Sequence, residues 1–225
     1  MQRALKALSI VLSYPTGELR EEAADVKAAL TAEQALDSGS LNRLSGLLDR
    51  LACDDLYDSQ ESYVLLFDRT RSLSLHLFEH VHGESRDRGQ ALVDLQSVYA
   101  TGGYEVAAKE LPDYLPLFLE FLSTRPSDEA REHLVQISHI LAALRMRLTA
   151  RGSDYAAAIG AIESLAGHTA SPQAVTDAMI APDDDPNDLQ ALDRAWEETA
   201  VTFGPGATAT NGAPMRPPAG QGDHS

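Results

Sequence analysis

"SDEAREHLVQISHILAALRMRLTARG", Ser127 to Gly152, decides the fold. Ser127 followed by Asp128 and Glu129 starts a helix, because carboxylates favour the positive end of the helix dipole. Leu134, Ile137, Leu141, Leu144 and Leu148 then recur at spacings of three and four, the apolar stripe of one helix that ends near Gly152. Leucine and alanine recur in this way along most of the chain, while alternating β-branched runs and Asn-Gly hairpin signals between them are missing. The sequence predicts an all-α protein.

Toward the N-terminus, Leu5, Leu8 and Leu12 mark a first helix ended at Tyr14-Pro15, since the residue before proline is pushed out of the helical region. Thr16 caps a second helix carrying Leu19, Ala23, Val26 and Leu30. Leu41, Leu44, Leu48 and Leu51 mark a third, and a fourth runs from about Asp55 to Phe67 with Leu56, Tyr63 and Phe67 inward. Ser72 to His82 reads as a fifth helix stopped by Gly83, and Ser85 caps a sixth that runs to Gly102-Gly103. Pro112 and Asp113 start a seventh through "YLPLFLEFLS", and a last helix spans Tyr155 to Ala166. Residues 1–167 are therefore expected to form one helical bundle domain. Residues 168–204 read as an acidic, Pro-rich linker with a short docking helix around Trp196. Residues 205–225, rich in Gly, Pro, Ala and Thr, read as a disordered tail.

Charge narrows the partners. The 225 residues hold 34 acidic against 18 basic side chains, a formal net charge of -16. That field repels phosphate backbones and anionic lipid heads, which argues against nucleic acid and membrane surfaces as partners. One cysteine, Cys53, excludes an internal disulfide framework and a four-thiolate metal site, and points to the reducing cytoplasm. "MQRALKALSIVLSYP" is interrupted by Lys6 and Ser9 and reads as a helix rather than a signal peptide. No stretch approaches the roughly 18 apolar residues of a membrane span.

The polar chemistry gathers in "LHLFEHVHGESRDRG", Leu75 to Gly89. At about 100° per residue, His76, Glu79 and His80 share one sector of the expected fifth helix, beside Leu73, Leu77 and Val81. His76 and His80 stand four apart with Glu79 near, which suits a metal, yet the His-Glu-x-x-His order is absent. His133 and His139, six apart, do not complete a ligand set. Cys53 lies beside Asp54 and Asp55, which raise a thiol pKa, and no nucleophile elbow, phosphate loop or dinucleotide fingerprint is present. A metal-dependent helical enzyme built on His76, Glu79 and His80 is thus the alternative to a binding protein. Arg86, Gln90 and Asp94 form a polar ladder opposite Leu92, Leu95, Val98 and Tyr99, and Gly89 inside that helix suggests close backbone approach by a helix or a bound segment. "DYLPLFLEFL" is apolar all round, so its helix is either enclosed, the favoured reading, or lines a groove for an amphipathic peptide.

Three blocks in order, "YVLLFDRTRSLSLHLFEHVHGESRDRGQALVDLQSVY", "ELPDYLPLFLEFLS" and "ALDRAWEETAVTFG", resemble the respiratory nitrate reductase molybdenum-cofactor assembly chaperones, the delta-subunit family. The likeness runs from about Leu5 to Gly204. It implies a single helical bundle of the TorD-like chaperone type, with no catalytic residue, metal or cofactor of its own. It also implies a cytoplasmic partner: the apo catalytic α subunit of nitrate reductase, held through segments that include its N-terminus, and its αβ complex, before membrane docking. The family signature falls on Phe67, Asp68, His76, Phe78, Glu79, His80, Gly83, Glu84, Arg86, Arg88, Gly89, Gln90 and Asp94, then on Leu111, Pro112, Asp113, Tyr114, Leu115, Pro116 and Phe118. From these the expected client-binding set is Phe67, Asp68, His76, Glu79, His80, Glu84, Arg86, Arg88, Gln90, Asp94, Asp113, Tyr114, Leu115 and Phe118. The Glu-Pro-x-Asp-His loop of the TorD-like relatives has no clear counterpart, so their groove geometry does not transfer. The histidine segment is expected to be the polar seam of the client site, with affinity that depends on pH near neutrality.

Overall fold

The leucine stripe of α1 (Gln2–Leu12) is buried along its whole length, with Leu5, Leu8, Val11 and Leu12 at 0% exposure. This computed structural model describes residues 1–82, 86–106 and 110–179. The main neighbour of α1 is α6 (Leu115–Ser123), far along the chain. Ser9 Oγ fastens the pair by donating to the Pro116 carbonyl at 2.7 Å, and Lys6 meets Glu120 at the rim. Pro15 ends α1 as expected, and Thr16 caps α2 (Gly17–Ala32) by accepting the Leu19 amide. Asp37 caps α3 (Ser38–Cys53), which lies against α2, and Asp55 caps α4 (Leu56–Tyr63), which runs into a π-helical turn at Val64–Asp68. In each case a short side-chain oxygen takes up backbone N–H groups that have no partner inside the helix.

The stretch that decides the fold makes two helices rather than one, α7 (Ser127–Gln136) and α8 (Ser138–Ala150). They part at Ile137, whose φ of -98° and ψ of 6° leave the helical region. Both halves pack on α9 (Tyr155–Ala166). Leu134, Leu141, Leu144 and Leu148 stay at 0% exposure across the break, so the stripe survives the change of direction. No glycine or proline marks the break. Helix α9 also touches α3 and α1, and its Ala158, Ile159, Ala161 and Ile162 are fully buried. It is the centre of the bundle, and its alanines let neighbouring helices come close.

Residues 172–178 lie where an acidic linker was expected, yet Pro172–Ala178 forms α10. Ser171 Oγ accepts the Ala174 amide, proline occupies the first turn, and the helix packs on α8. The proline that suggested a linker here starts a helix. The expected docking helix around Trp196, the tail, the Gly83 stop, the Ser85 cap and Glu84 lie outside the described residues. Among the described residues no helix is long and apolar enough to cross a membrane.

Candidate functional site

The expected fifth helix over Ser72–His82 does not form. The chain makes a tight 3₁₀ turn at Arg71–Leu73, extends through Ser74 and His76, and turns again at Leu77–Glu79. The cause is visible in "SLSLHLF": Leu73, Leu75 and Leu77 are buried at 0, 2 and 2%, a period of two that suits extended chain. Ser74 reinforces it, because its Oγ accepts the His76 amide and competes with helical hydrogen bonding. The extended piece pairs with the segment ahead of α6. His76 bridges Tyr114 in antiparallel fashion, the Leu77 amide donates to the Asp113 carbonyl at 3.0 Å, and the Leu115 amide donates to the Leu75 carbonyl at 2.8 Å. Pro112 and Asp113 therefore stand in the turn before α6, which begins at Leu115.

This pairing assembles the seam. Asp113 is fully buried, which a carboxylate tolerates only with partners. Its Oδ2 accepts the Phe78 amide at 3.1 Å, and its Oδ1 faces His76 Nδ1 at 3.2 Å. Arg88, from α5 (Arg86–Thr101), donates to Glu79 at 3.0 Å and lies 3.9 Å from Asp113. His80 Nε2 lies 2.8 Å from the Ser74 carbonyl, and because a carbonyl only accepts, that nitrogen carries the proton. His76 is raised above the ordinary 6.5, with the Asp113 hydrogen bond outweighing burial. His80 is lowered, because burial disfavours its cation and Arg147 adds repulsion. The two histidines sit four residues apart, and their pKa values are displaced in opposite directions from the ordinary one.

Tyr114 joins the seam to the core. Its ring lies 5.5 Å from that of His76, and its hydroxyl is 2.9 Å from that of Tyr63. Tyr63 gives its own proton to the Leu12 carbonyl at 2.9 Å, so Tyr114 is the donor between the two tyrosines. Behind them Phe67 packs against Tyr63 and Tyr155.

The expected residues thus divide. His76, Glu79, His80, Arg88, Asp113 and Tyr114 come together. Phe67, Leu115 and Phe118 are core, at 4, 0 and 4% exposure. Asp68, Arg86, Gln90 and Asp94 are exposed, and the ladder is realised only as Gln90 donating to Asp94 on the solvent side. Gly89 has open space where a Cβ would stand, so no helix of this chain approaches its backbone among the described residues. The tightly packed glycine is Gly102, just past the end of α5, where a Cβ would meet the Phe121 ring at 2.8 Å. Sequence reasoning missed Ser74 and Arg147. Arg147 is only 3% exposed and donates to the Ser72 carbonyl at 2.8 Å. Its signal was an arginine next to Leu148 in a core stripe.

An all-helical bundle that buries a carboxylate under two histidines and an arginine, beside a short extended pairing, defines a helical scaffold with one polar seam. His76 and His80 spend ring nitrogens on Asp113 and Ser74, and among the described residues no three His, Cys, Asp or Glu side chains are grouped to hold a metal. The chain belongs to the nitrate reductase delta subunit family, whose model matches residues 17–160. It is 42% identical to the nitrate reductase molybdenum cofactor assembly chaperone NarJ of Escherichia coli K12, over 88% of this chain and 84% of that one. It is 40% identical to the probable chaperone of the same description, NarW, of that organism, over 94% and 88%. To the probable NarJ of Bacillus subtilis it is 33% identical, over 69% and 83%.

Proposed function

We propose that the protein is a dedicated cytoplasmic chaperone without enzymatic activity. It binds the apo catalytic α subunit of a membrane-bound nitrate reductase, including its N-terminal segment, and keeps the αβ complex open to molybdenum-cofactor insertion before membrane docking. The observation that carries this reading is the 40–42% identity, over most of both chains, to relatives named as assembly chaperones for that cofactor. The seam supplies the means. Glu79 and Arg88 are about one-fifth exposed, so a client charge can exchange into their pair without unfolding the bundle. A basic client residue competes for Glu79 and an acidic one for Arg88, while half-buried Phe78 and exposed Val81 offer apolar contact.

The test is a pull-down of α subunit with this protein, from cells unable to make molybdenum cofactor and from cells that make it. The reading expects preferential capture of the apo form. Equal capture removes the sensing of cofactor occupancy, and no capture removes the client. Calorimetry with a synthetic peptide of the α-subunit N-terminus addresses the site: alanine at His76 or His80 should change affinity between about pH 6 and about pH 8. Unchanged affinity throughout takes both residues out of the site.

A further inference from the structure

Arg147 stands on the buried face of α8 beside Leu144 and Leu148, both at 0% exposure, and is itself only 3% exposed. Arg145, two residues back, lies half-exposed and pairs with Glu163 instead. A guanidinium does not shed its proton in a protein, so a buried one is tolerated only among acceptors. Arg147 has such an acceptor in the Ser72 carbonyl at 2.8 Å, 75 residues away along the chain. One turn further along α8, Arg151 donates to the Thr70 hydroxyl at 3.2 Å, and Thr70 gives its own proton to the Leu65 carbonyl at 2.8 Å. Thr70, Ser72 and Ser74 are 0, 0 and 5% exposed. Helix α8 therefore grips the run of residues 70–74 at two points.

That run leads straight into the seam. Extended chain presents backbone hydrogen-bonding groups along two edges, and both need partners when buried. One edge is paired with the segment ahead of α6, through the Leu75 carbonyl and the Leu77 amide. Along the other, no strand lies among the described residues. There the Ser72 carbonyl accepts from Arg147, and the Ser74 carbonyl, two residues on, accepts from His80 Nε2 at 2.8 Å. We propose that Arg147 is a positioning residue of the seam: from α8 it takes the place of a strand beside residues 72–74, and so fixes the extended backbone that sets His76 on Asp113 and His80 on the Ser74 carbonyl. The proposal rests on the client-site reading only for what the seam is used for. The same cation faces His80. Burial first, and Arg147 after it, hold that histidine below the ordinary 6.5, against the Ser74 carbonyl, Glu79 and Asp113, which act the other way.

The experiment uses the full chain in three variants. Arg147→Met keeps an aliphatic stem and removes the cation with its donors, Arg147→Lys keeps a cation and a donor, and Leu148→Val trims the same buried face with the guanidinium left in place. Amide exchange is read by NMR at Leu77 and Leu115, relative to the amides of α9, together with the titration of the His80 ring. Exchange at both amides should quicken about tenfold or more in Arg147→Met, as expected where a hydrogen bond from a charged group is lost. Arg147→Lys should recover most of that protection. His80 should titrate higher in Arg147→Met than in the wild type and stay low in Arg147→Lys, while Leu148→Val should move neither readout. Unchanged exchange or an unmoved His80 in Arg147→Met, or equal quickening in Leu148→Val, would overturn the positioning role. Neither readout involves a client. Capture of the apo α subunit should fall several-fold in Arg147→Met, and full capture alongside fast exchange would remove the seam as the client site while leaving Arg147 as its anchor.

Discussion

Helices α5 and α6 are held to the same body by different means. Helix α5 has 16 residues and buries one, Tyr99, while α6 has 9 and buries six. Val93 and Val98 of α5 stand 56 and 39% exposed, and Leu92 and Leu95 are half-buried. What fixes α5 is a set of points: the Tyr99 hydroxyl donating to the Pro112 carbonyl at 2.6 Å, Arg88 on Glu79, and Gly102 against Phe121. What fixes α6 is area, at about 1.5–3 kcal/mol for each fully buried leucine or phenylalanine. The lesson is that a helix held by points can shift when one point is competed away, whereas a helix held by area cannot. The seam lies between the two.

The largest expected effect is on the α6 side. Phe121→Ala should cost about 3–5 kcal/mol in urea denaturation, since its ring is 1% exposed and packs on Tyr99, Tyr104 and His133. A cost below about 1 kcal/mol would break the comparison. Gly102→Ala places a Cβ 2.8 Å from Phe121 and 3.0 Å from Arg125, so a core ring or its cation must move. About 1–3 kcal/mol is expected there, read in the same titration. Tyr99→Phe removes one hydrogen bond and leaves the Pro112 carbonyl without that donor, for about 0.5–1.5 kcal/mol. Its sharper signature is faster hydrogen exchange confined to α5.

The seam histidines give a smaller effect with a sign. His76 is raised, so the stability it adds is whole below the ordinary 6.5 and lost as pH rises through its raised value. His80 is lowered, so its contribution is whole above 6.5 and lost as pH falls through its lowered value. The stability gap between the wild type and His76→Ala should therefore shrink toward high pH, and that for His80→Ala toward low pH. Gaps that move together with pH would refute either the Asp113 hydrogen bond that raises His76 or the burial that lowers His80. Smallest of all, Val93→Ala and Val98→Ala should each stay within about 0.5 kcal/mol of wild type. A larger loss would mean that α5 is held by area after all.

The sequence was legible where one local signal was strong. The α1 stripe, the Tyr155–Ala166 span of α9, the Thr16 cap and the Gly102-Gly103 stop each rest on neighbouring residues, and Gly103 does take a φ of +70°. The 72–82 segment was misread because leucines two apart and leucines four apart coexist in it. The choice between them is made by a partner segment nearly forty residues away, the Asp113 and Tyr114 pairing. Of the candidate site, the identities of His76, Glu79, His80, Arg88, Asp113 and Tyr114 could be named in advance from family likeness, but not their contacts. Arg88 rather than Arg86 turns to the seam, a distinction of rotation about α5 that sequence spacing does not carry.

The docking of α1 on α6 has a consequence in time. Ser9 and the Pro116 carbonyl it bonds are 107 residues apart. A ribosome adding 5–20 residues each second needs roughly 5 to 20 seconds to make that intervening chain. For that interval the leucine face of α1 has no α6 to cover it, and the nascent protein displays the kind of naked apolar helix that other chaperones hold. During its own synthesis this chain stands in the position of a client.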